Sequence, residues 1–155
     1  MLLPMAEEKG REITVDARDE LMVFGSSDNL RDMLRNLLEN ALFHGAGSIG
    51  VTLRIGTSSD GGDNSVVMEV MDEGLGVPPA KRELVFERFR KAGQSSPGAG
   101  LGLAIVREVV RMHGGTVSFV PVSSGCCVRV VLPRAAAFSG DSVCSERTVQ
   151  DVAIS

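Results

Sequence analysis

The sequence predicts an α/β protein of the α+β kind: a two-layer sandwich whose mixed, largely antiparallel sheet carries its helices on one face. Three observations predict it. Leu30, Met33, Leu34, Leu37, Leu38 and Ala41 recur with a helical period, as do Ala104, Ile105, Val106, Val109 and Val110. Residues 48–55 and 65–71 alternate as strands around the polar turn 57–64, which reads as a hairpin. Residues 116–122 and 126–132 make a second apolar hairpin near the end of the ordered sequence, and no internal repeat competes with this order.

The elements follow in chain order. Segments 11–15 and 21–24 are rich in β-formers and read as short strands. The long helix runs over 29–44, with Ser26, Ser27 and Asp28 as N-cap candidates and Gly45 and Gly47 as its stop. Residues 80–89 predict one short helix, and 91–97 are polar. A second long helix starts near Leu103, and His113-Gly114-Gly115 closes it, with the imidazole placed to bond terminal carbonyls. From Arg134 onward periodicity is lost, and the stretch 134–155, including Cys144, is expected to be a disordered tail.

Composition narrows the function. At 155 residues the chain fits one domain, 43% hydrophobic content supports a real core, and no run of eighteen apolar residues is present to span a membrane. No basic leader with an apolar signal core is evident, and three cysteines, two of them adjacent, match no zinc spacing. A cytoplasmic, reducing location is the expectation. A net charge of −4 argues against nucleic acid as a partner.

Three motifs carry chemistry. Gly98-Ala-Gly-Leu-Gly-Leu103 runs into a helix, where bare backbone and unpaired N–H groups suit a phosphate; a packing turn is the alternative. It is not a Walker loop, because no Gly-Lys-Ser/Thr follows, and no third glycine completes a dinucleotide fingerprint. Asp72-Glu-Gly-Leu-Gly76 ends a strand and presents an acceptor-only carboxylate above flexible backbone, which suits an exocyclic amine such as that of adenine. The same residues also suit a simple Asp-initiated turn. Asn36 and Asn40 stand one turn apart at the edge of the apolar stripe of the first helix. Their amide oxygens suit a magnesium shell of water and phosphate, or they bond neighbouring backbone.

Taken together, Asn-Leu-Leu-Glu-Asn-Ala (36–41), Asp-Glu-Gly-Leu-Gly (72–76), Val-Phe-Glu-Arg-Phe (85–89) and Gly-Ala-Gly-Leu-Gly-Leu (98–103) resemble the catalytic ATP-binding domain of bacterial two-component sensor histidine kinases. That domain belongs to the superfamily of DNA gyrase, Hsp90 and MutL. The similarity covers residues 10 to 133. It implies a Bergerat-type fold, ATP and Mg2+ as cofactors, and transfer of the γ-phosphoryl group to a histidine. It places Asn40 as the magnesium ligand, Asp72 at the adenine amine, and Gly74 and Gly76 beneath the base. Phe86 and Phe89 then anchor a lid, and Gly98, Gly100 and Gly102, with Leu101 and Leu103, close over the phosphates. Asn36, Glu39 and Asn40 form the catalytic group, and His44, one turn beyond Asn40, faces the pocket or solvent.

Three departures from the pattern stand out. Gyrase-like ATPases carry a basic glutamate where this chain has Asn36, which implies ATP held without ready hydrolysis, although Glu39 remains placed to orient a water. Many histidine kinases carry a lysine where this chain has Phe43, so Arg88, Arg90 and Lys91 are the expected phosphate contacts, or else a solvated basic cluster. A threonine usual near the adenine-reading Asp is matched to Cys127, a weaker donor. The implied partners are a histidine-bearing dimerisation domain of the same kinase, a homodimer in the full-length protein, and a cognate response regulator. Residues 1–10 then read as the end of a linker from that dimerisation domain, 11–133 as the catalytic domain and 134–155 as the tail. A serine kinase of the anti-sigma type, which shares the Asn-Ala-x-x-His-Gly look of 40–45, and a non-catalytic nucleotide-sensing module are the alternatives.

Overall fold

The computed structural model describes residues 2–18, 20–56, 65–87 and 102–135. The expectations for the 57–64 turn, Arg88, Phe89, Arg90, Lys91, Gly98, Gly100, Leu101 and Cys144 lie outside the described residues. The chain runs α1 (Leu2–Glu8), β1 (Ile13–Ala17), α2 (Ser27–His44), β2 (Ile49–Gly56), β3 (Ser65–Asp72), a 3-10 turn (Pro79–Lys81), α3 (Arg82–Val85), α4 (Gly102–Met112), β4 (Thr116–Val120) and β5 (Cys126–Pro133).

The five described strands form one sheet in the order β1-β2-β3-β5-β4. The β1–β2 pair is parallel and the others are antiparallel, so the mixed, largely antiparallel sheet is as expected. Strand alternation sends Ile49, Val51, Met68, Val70, Val128 and Val130 to one face, where α2 and α4 cover them. Met33 and Leu37 of α2 and Val106 and Val110 of α4 are almost completely buried there. Each such side chain contributes about 1.5–3 kcal/mol by leaving water. The other face is partly charged: Arg129 places two nitrogens 2.6 Å from Glu69 Oε1, and Arg54 lies 3.7 Å from the same oxygen.

Several boundaries differ from the sequence reading, each for a physical reason. Residues 21–24 form no strand. Among the described residues their main chain is met by the Ala135 N–H, which donates to Met22 O at 2.7 Å, too little to build a ladder. Through that bond and its burial, Ala135 packs against the fold. The first strand begins two residues later than expected, at Ile13. The single helix expected over 80–89 is instead a 3-10 turn followed by one α-turn. Pro78 and Pro79 remove two backbone donors at its start. Residues 2–8, read only as linker, are helical and bury Ala6 against the core.

Candidate functional site

The α2 helix starts on Ser26, whose hydroxyl accepts from Asn29 N–H at 3.4 Å. It buries Leu30, Met33, Leu37, Leu38, Ala41 and Leu42 and leaves Asn36, Glu39 and Asn40 half-buried along the edge of that stripe. Asn36 donates its amide nitrogen to Asp32 O at 2.8 Å, so its nitrogen follows the backbone-bonding alternative. The amide oxygen points elsewhere: a Cβ on Gly102, the first residue of α4, would lie 3.3 Å from it. Asn36 therefore faces the start of the helix that follows the glycine-rich stretch. Asn40 has no such bond to backbone among the described residues. Glu39 lies 3.9 Å from Arg35, one turn back on the exposed side.

Asp72 closes β3 and is only 6% exposed, the one buried polar or charged residue among the described side chains. Its Oδ1 accepts the Gly74 N–H at 2.7 Å, so the Asp-initiated turn is present. Bare backbone surrounds the carboxylate. A Cβ on Gly45 would overlap Asp72 Cγ and Ala41 O, and one on Gly74 would lie 2.7 Å from Asp72 Oδ1 and 3.0 Å from Gly45 Cα. Gly76 has φ +74°, and a Cβ there would stand 3.0 Å from Gly125 O. Gly125 itself has φ +86° and leaves room only for the Asp72 carbonyl. The sequence reading assigned Gly45 to helix termination alone and Gly125 no role. Gly45 does cap α2; its φ of −91° lies outside the left-handed region, and a side chain there is excluded because Asp72 fills the space.

The cysteine assignment requires correction. In the β3–β5 register Asp72 stands opposite Cys126, and Cys127 stands opposite Met71. Paired residues share a face, so Cys126 accompanies the carboxylate and Cys127 sits on the opposite side with Glu69 and Arg129. Burial pushes the Cys126 thiol up to about 11; the charges of Asp72 and Cys127 add to the shift, and Arg82 opposes it. Cys127 is also raised, by burial first and then by Glu69.

The remaining expected residues fall as follows. Phe86 is buried, 5.2 Å between ring centroids from Phe119, with the Arg107 guanidinium 5.9 Å above its ring. It is thus a firm anchor at the point where the described chain leaves α3. Leu103 is buried behind Gly102 in the first turn of α4. His44 is exposed at the end of α2, and Phe43 beside it carries the Lys9 ammonium 5.1 Å above its ring. His113 bonds Val109 O through Nδ1 at 2.6 Å, the structural role expected of it.

This arrangement brings a buried acceptor, bare backbone and an amide-bearing helix edge to one end of the sheet. The sequence profile described as histidine kinase-, DNA gyrase B-, and HSP90-like ATPase matches residues 25–136. The sensor histidine kinase MtrB of Mycobacterium leprae (strain TN) is 36% identical over 135 residues, 83% of this chain and 23% of the relative. The chain spans about a tenth to a quarter of the length of the curated relatives it matches. Among solved structures, a mycobacterial sensor histidine kinase MprB superposes with a TM-score of 0.66 at 33% identity, covering 86% of this chain and 89% of that one. Full-length ShkA in complex with AMPPNP gives 0.69 at 32% identity, covering 86% of this chain and 28% of that one. A matched profile across most of the chain, a shared fold and relatives above 30% identity agree: the chain belongs to the family of histidine kinase-, DNA gyrase B- and HSP90-like ATPases, on its sensor histidine kinase branch.

Proposed function

We propose that this chain binds ATP with Mg2+ and transfers the γ-phosphoryl group to a histidine carried by a separate dimerisation domain. The observation that carries the reading is the enclosed carboxylate of Asp72, bounded by the bare backbone of Gly45 and Gly74, with Gly125 against its main-chain carbonyl. A buried acceptor-only group beside bare backbone fits a flat base with an exocyclic amine. The bound nucleotide in the ShkA structure supports it.

Each residue then has a task. Asp72 reads the amine, while Gly74 and Gly76 let the ring approach the main chain. Asn40 holds the metal through its amide oxygen, and Asn36 fixes the edge of α2 against the start of α4. Gly102 opens α4 with unpaired N–H groups, which favour anionic phosphate. Bound Mg2+ would supply charge neutralisation at the phosphates. Gly98, Gly100, Leu101 and the cations Arg88, Arg90 and Lys91 complete the phosphate side in this proposal, and Phe89 joins Phe86 as lid anchor. Asn36 has no basic oxygen for activating water, so the phosphoryl group is kept for a protein acceptor.

The proposed partners are the dimerisation domain of the same kinase, present as a homodimer, and a response regulator, with the domain working in the cytoplasm. Among the described residues no helix is long and apolar enough to cross a membrane. Titration with a fluorescent ATP analogue, with and without magnesium, tests the reading directly. The chain contains no Trp or Tyr, so the signal must come from the nucleotide. Saturable, magnesium-strengthened binding is expected; absence of binding would reject the proposal.

A further inference from the structure

Arg11 lies outside every motif above, yet it makes three side-chain hydrogen bonds to main chain that is distant in sequence. Its Nη1 donates to Ala41 O at 2.7 Å and to Leu42 O at 3.0 Å, and its Nε donates to Gly47 O at 2.7 Å. Ala41 and Leu42 belong to the last turn of α2, where a positive charge is favoured; Ala41 O accepts the Gly45 N–H at 3.0 Å as well as the guanidinium. Gly47 belongs to the loop that follows. One planar guanidinium therefore fastens the end of the asparagine-bearing helix to its own exit loop.

That loop is the floor beneath Asp72. The Glu73 N–H donates to Ala46 O at 2.8 Å, and the Ser48 N–H donates to Glu73 Oε2 at 2.8 Å. Neither Gly45 nor Gly74 has space for a side chain: Asp72 and Ala41 O block the first, and Asp72 Oδ1 and the 45–46 backbone crowd the second. On the other side, the Ile49 N–H donates to Glu12 O at 2.8 Å, and the Arg11 N–H donates to Ala6 O at 2.8 Å. Arg11 thus joins three parts: the end of α1, the end of α2, and the loop stitched to residues 72–74.

We propose that Arg11 is a positioning residue, holding the end of α2 and the 45–47 loop so that Asp72 keeps its place relative to Asn40. It touches neither base nor phosphate. The alternative is a purely structural anchor, which would affect stability without affecting base recognition. The inference rests on the nucleotide-site reading above, and one of its two tests is independent of nucleotide.

The first test compares ATP with inosine triphosphate, which replaces the exocyclic amine by a carbonyl. The full chain should prefer ATP, and Arg11→Met should lower that preference about tenfold, the range for a misaligned bond to a charged group. An unchanged preference overturns the proposal, whatever happens to the melting temperature. If Arg11→Met does not fold, Arg11→Lys keeps the charge and loses the fork. It should give an intermediate preference, and parental selectivity there overturns the proposal equally.

The second test is amide hydrogen exchange without nucleotide. Arg11→Lys should speed exchange at Glu73 and Ser48 and leave Val70 in mid-β3 unchanged. Equal rates at Glu73 and Ser48 in parent and variant would overturn the clamp. A parent without ATP preference, but with this exchange change in the variant, would reject the base-site assignment and retain the clamp.

Discussion

Cys126 stands directly across the β3–β5 pair from Asp72, so a thiol and a carboxylate share one face at the end of the sheet. Each affects the other. The carboxylate adds to the burial that raises the thiol to about 11. The thiol is a poor donor beside an acceptor that a bound base would use. Cys126→Thr replaces it with a stronger donor of similar size and should tighten ATP binding. Cys127→Thr, on the far face, should leave affinity unchanged. Nucleotide titration of the two variants compares them directly, and equal effects would contradict the register argument.

The same thiol makes stability pH-dependent in the alkaline range. Its folded pKa lies above the ordinary value of 9.0. The folded state therefore binds more protons than the unfolded state between about pH 9 and 11. This contribution is complete below pH 9 and is lost as pH rises through about 11. Melting measured from pH 8 to 11 should fall more steeply for the parent than for Cys126→Thr. Alkylation of Cys126 at pH 8 should likewise be slow, because the thiolate is scarce.

How much of this was legible in the sequence follows from where its signals lie. The 3.6-residue period of α2 located Asn36 and Asn40, and a strand ending in Asp-x-Gly-x-Gly located Asp72, because both are local patterns. The exchange of Cys126 for Cys127 shows the limit. A one-residue slip in register reverses every side chain, and adjacent cysteines provide no clue to the register. Arg11 was illegible for a different reason. Its partners are main-chain carbonyls 30 and 36 residues away, which leave no trace in residue type. Gly45 ends the helix as its position predicts, but its second role is not local, since the space it leaves is claimed by Asp72, far along the chain.

The proposed base contact gives a sharp substitution. Asp72→Asn offers an amide in place of one carboxylate oxygen, and an amide nitrogen turned toward the adenine amine opposes donor to donor. A buried unsatisfied group costs about 1–3 kcal/mol, or about ten- to a hundredfold in affinity. ATP should weaken by that factor and GTP should bind poorly to the parent. Parental ATP affinity in Asp72→Asn would remove Asp72 from the site.

Packing around the same carboxylate predicts a stability effect. Gly45→Ala would drive a methyl group into Asp72 Cγ and Ala41 O, neither of which is the free end of a flexible chain. Overpacking of this kind costs about 1–3 kcal/mol. The variant should melt lower and bind ATP more weakly, whereas Gly50→Ala, whose nearest atom would lie 3.8 Å away, should do neither through crowding. Thermal melts of the pair separate local crowding from a general intolerance of alanine.

The last prediction joins Asn36, Glu39 and Asn40. Asn40→Ala removes the proposed metal contact from a half-buried position at the edge of the core stripe. It should abolish magnesium-dependent strengthening of ATP binding and all phosphotransfer while the fold survives. In the parent, hydrolysis should stay at a trace rate. An amide at position 36 accepts no proton, and the Glu39 carboxylate lies on the side of α2 that faces Arg35. The chain alone should therefore bind ATP without labelling itself or releasing phosphate. Adding a helical dimerisation domain that bears the acceptor histidine should produce label that is acid-labile and base-stable, as phosphohistidine is. Rapid phosphate release by the chain alone would place it with the gyrase-like ATPases. Acid-stable label on a serine of an added protein would make it a serine kinase.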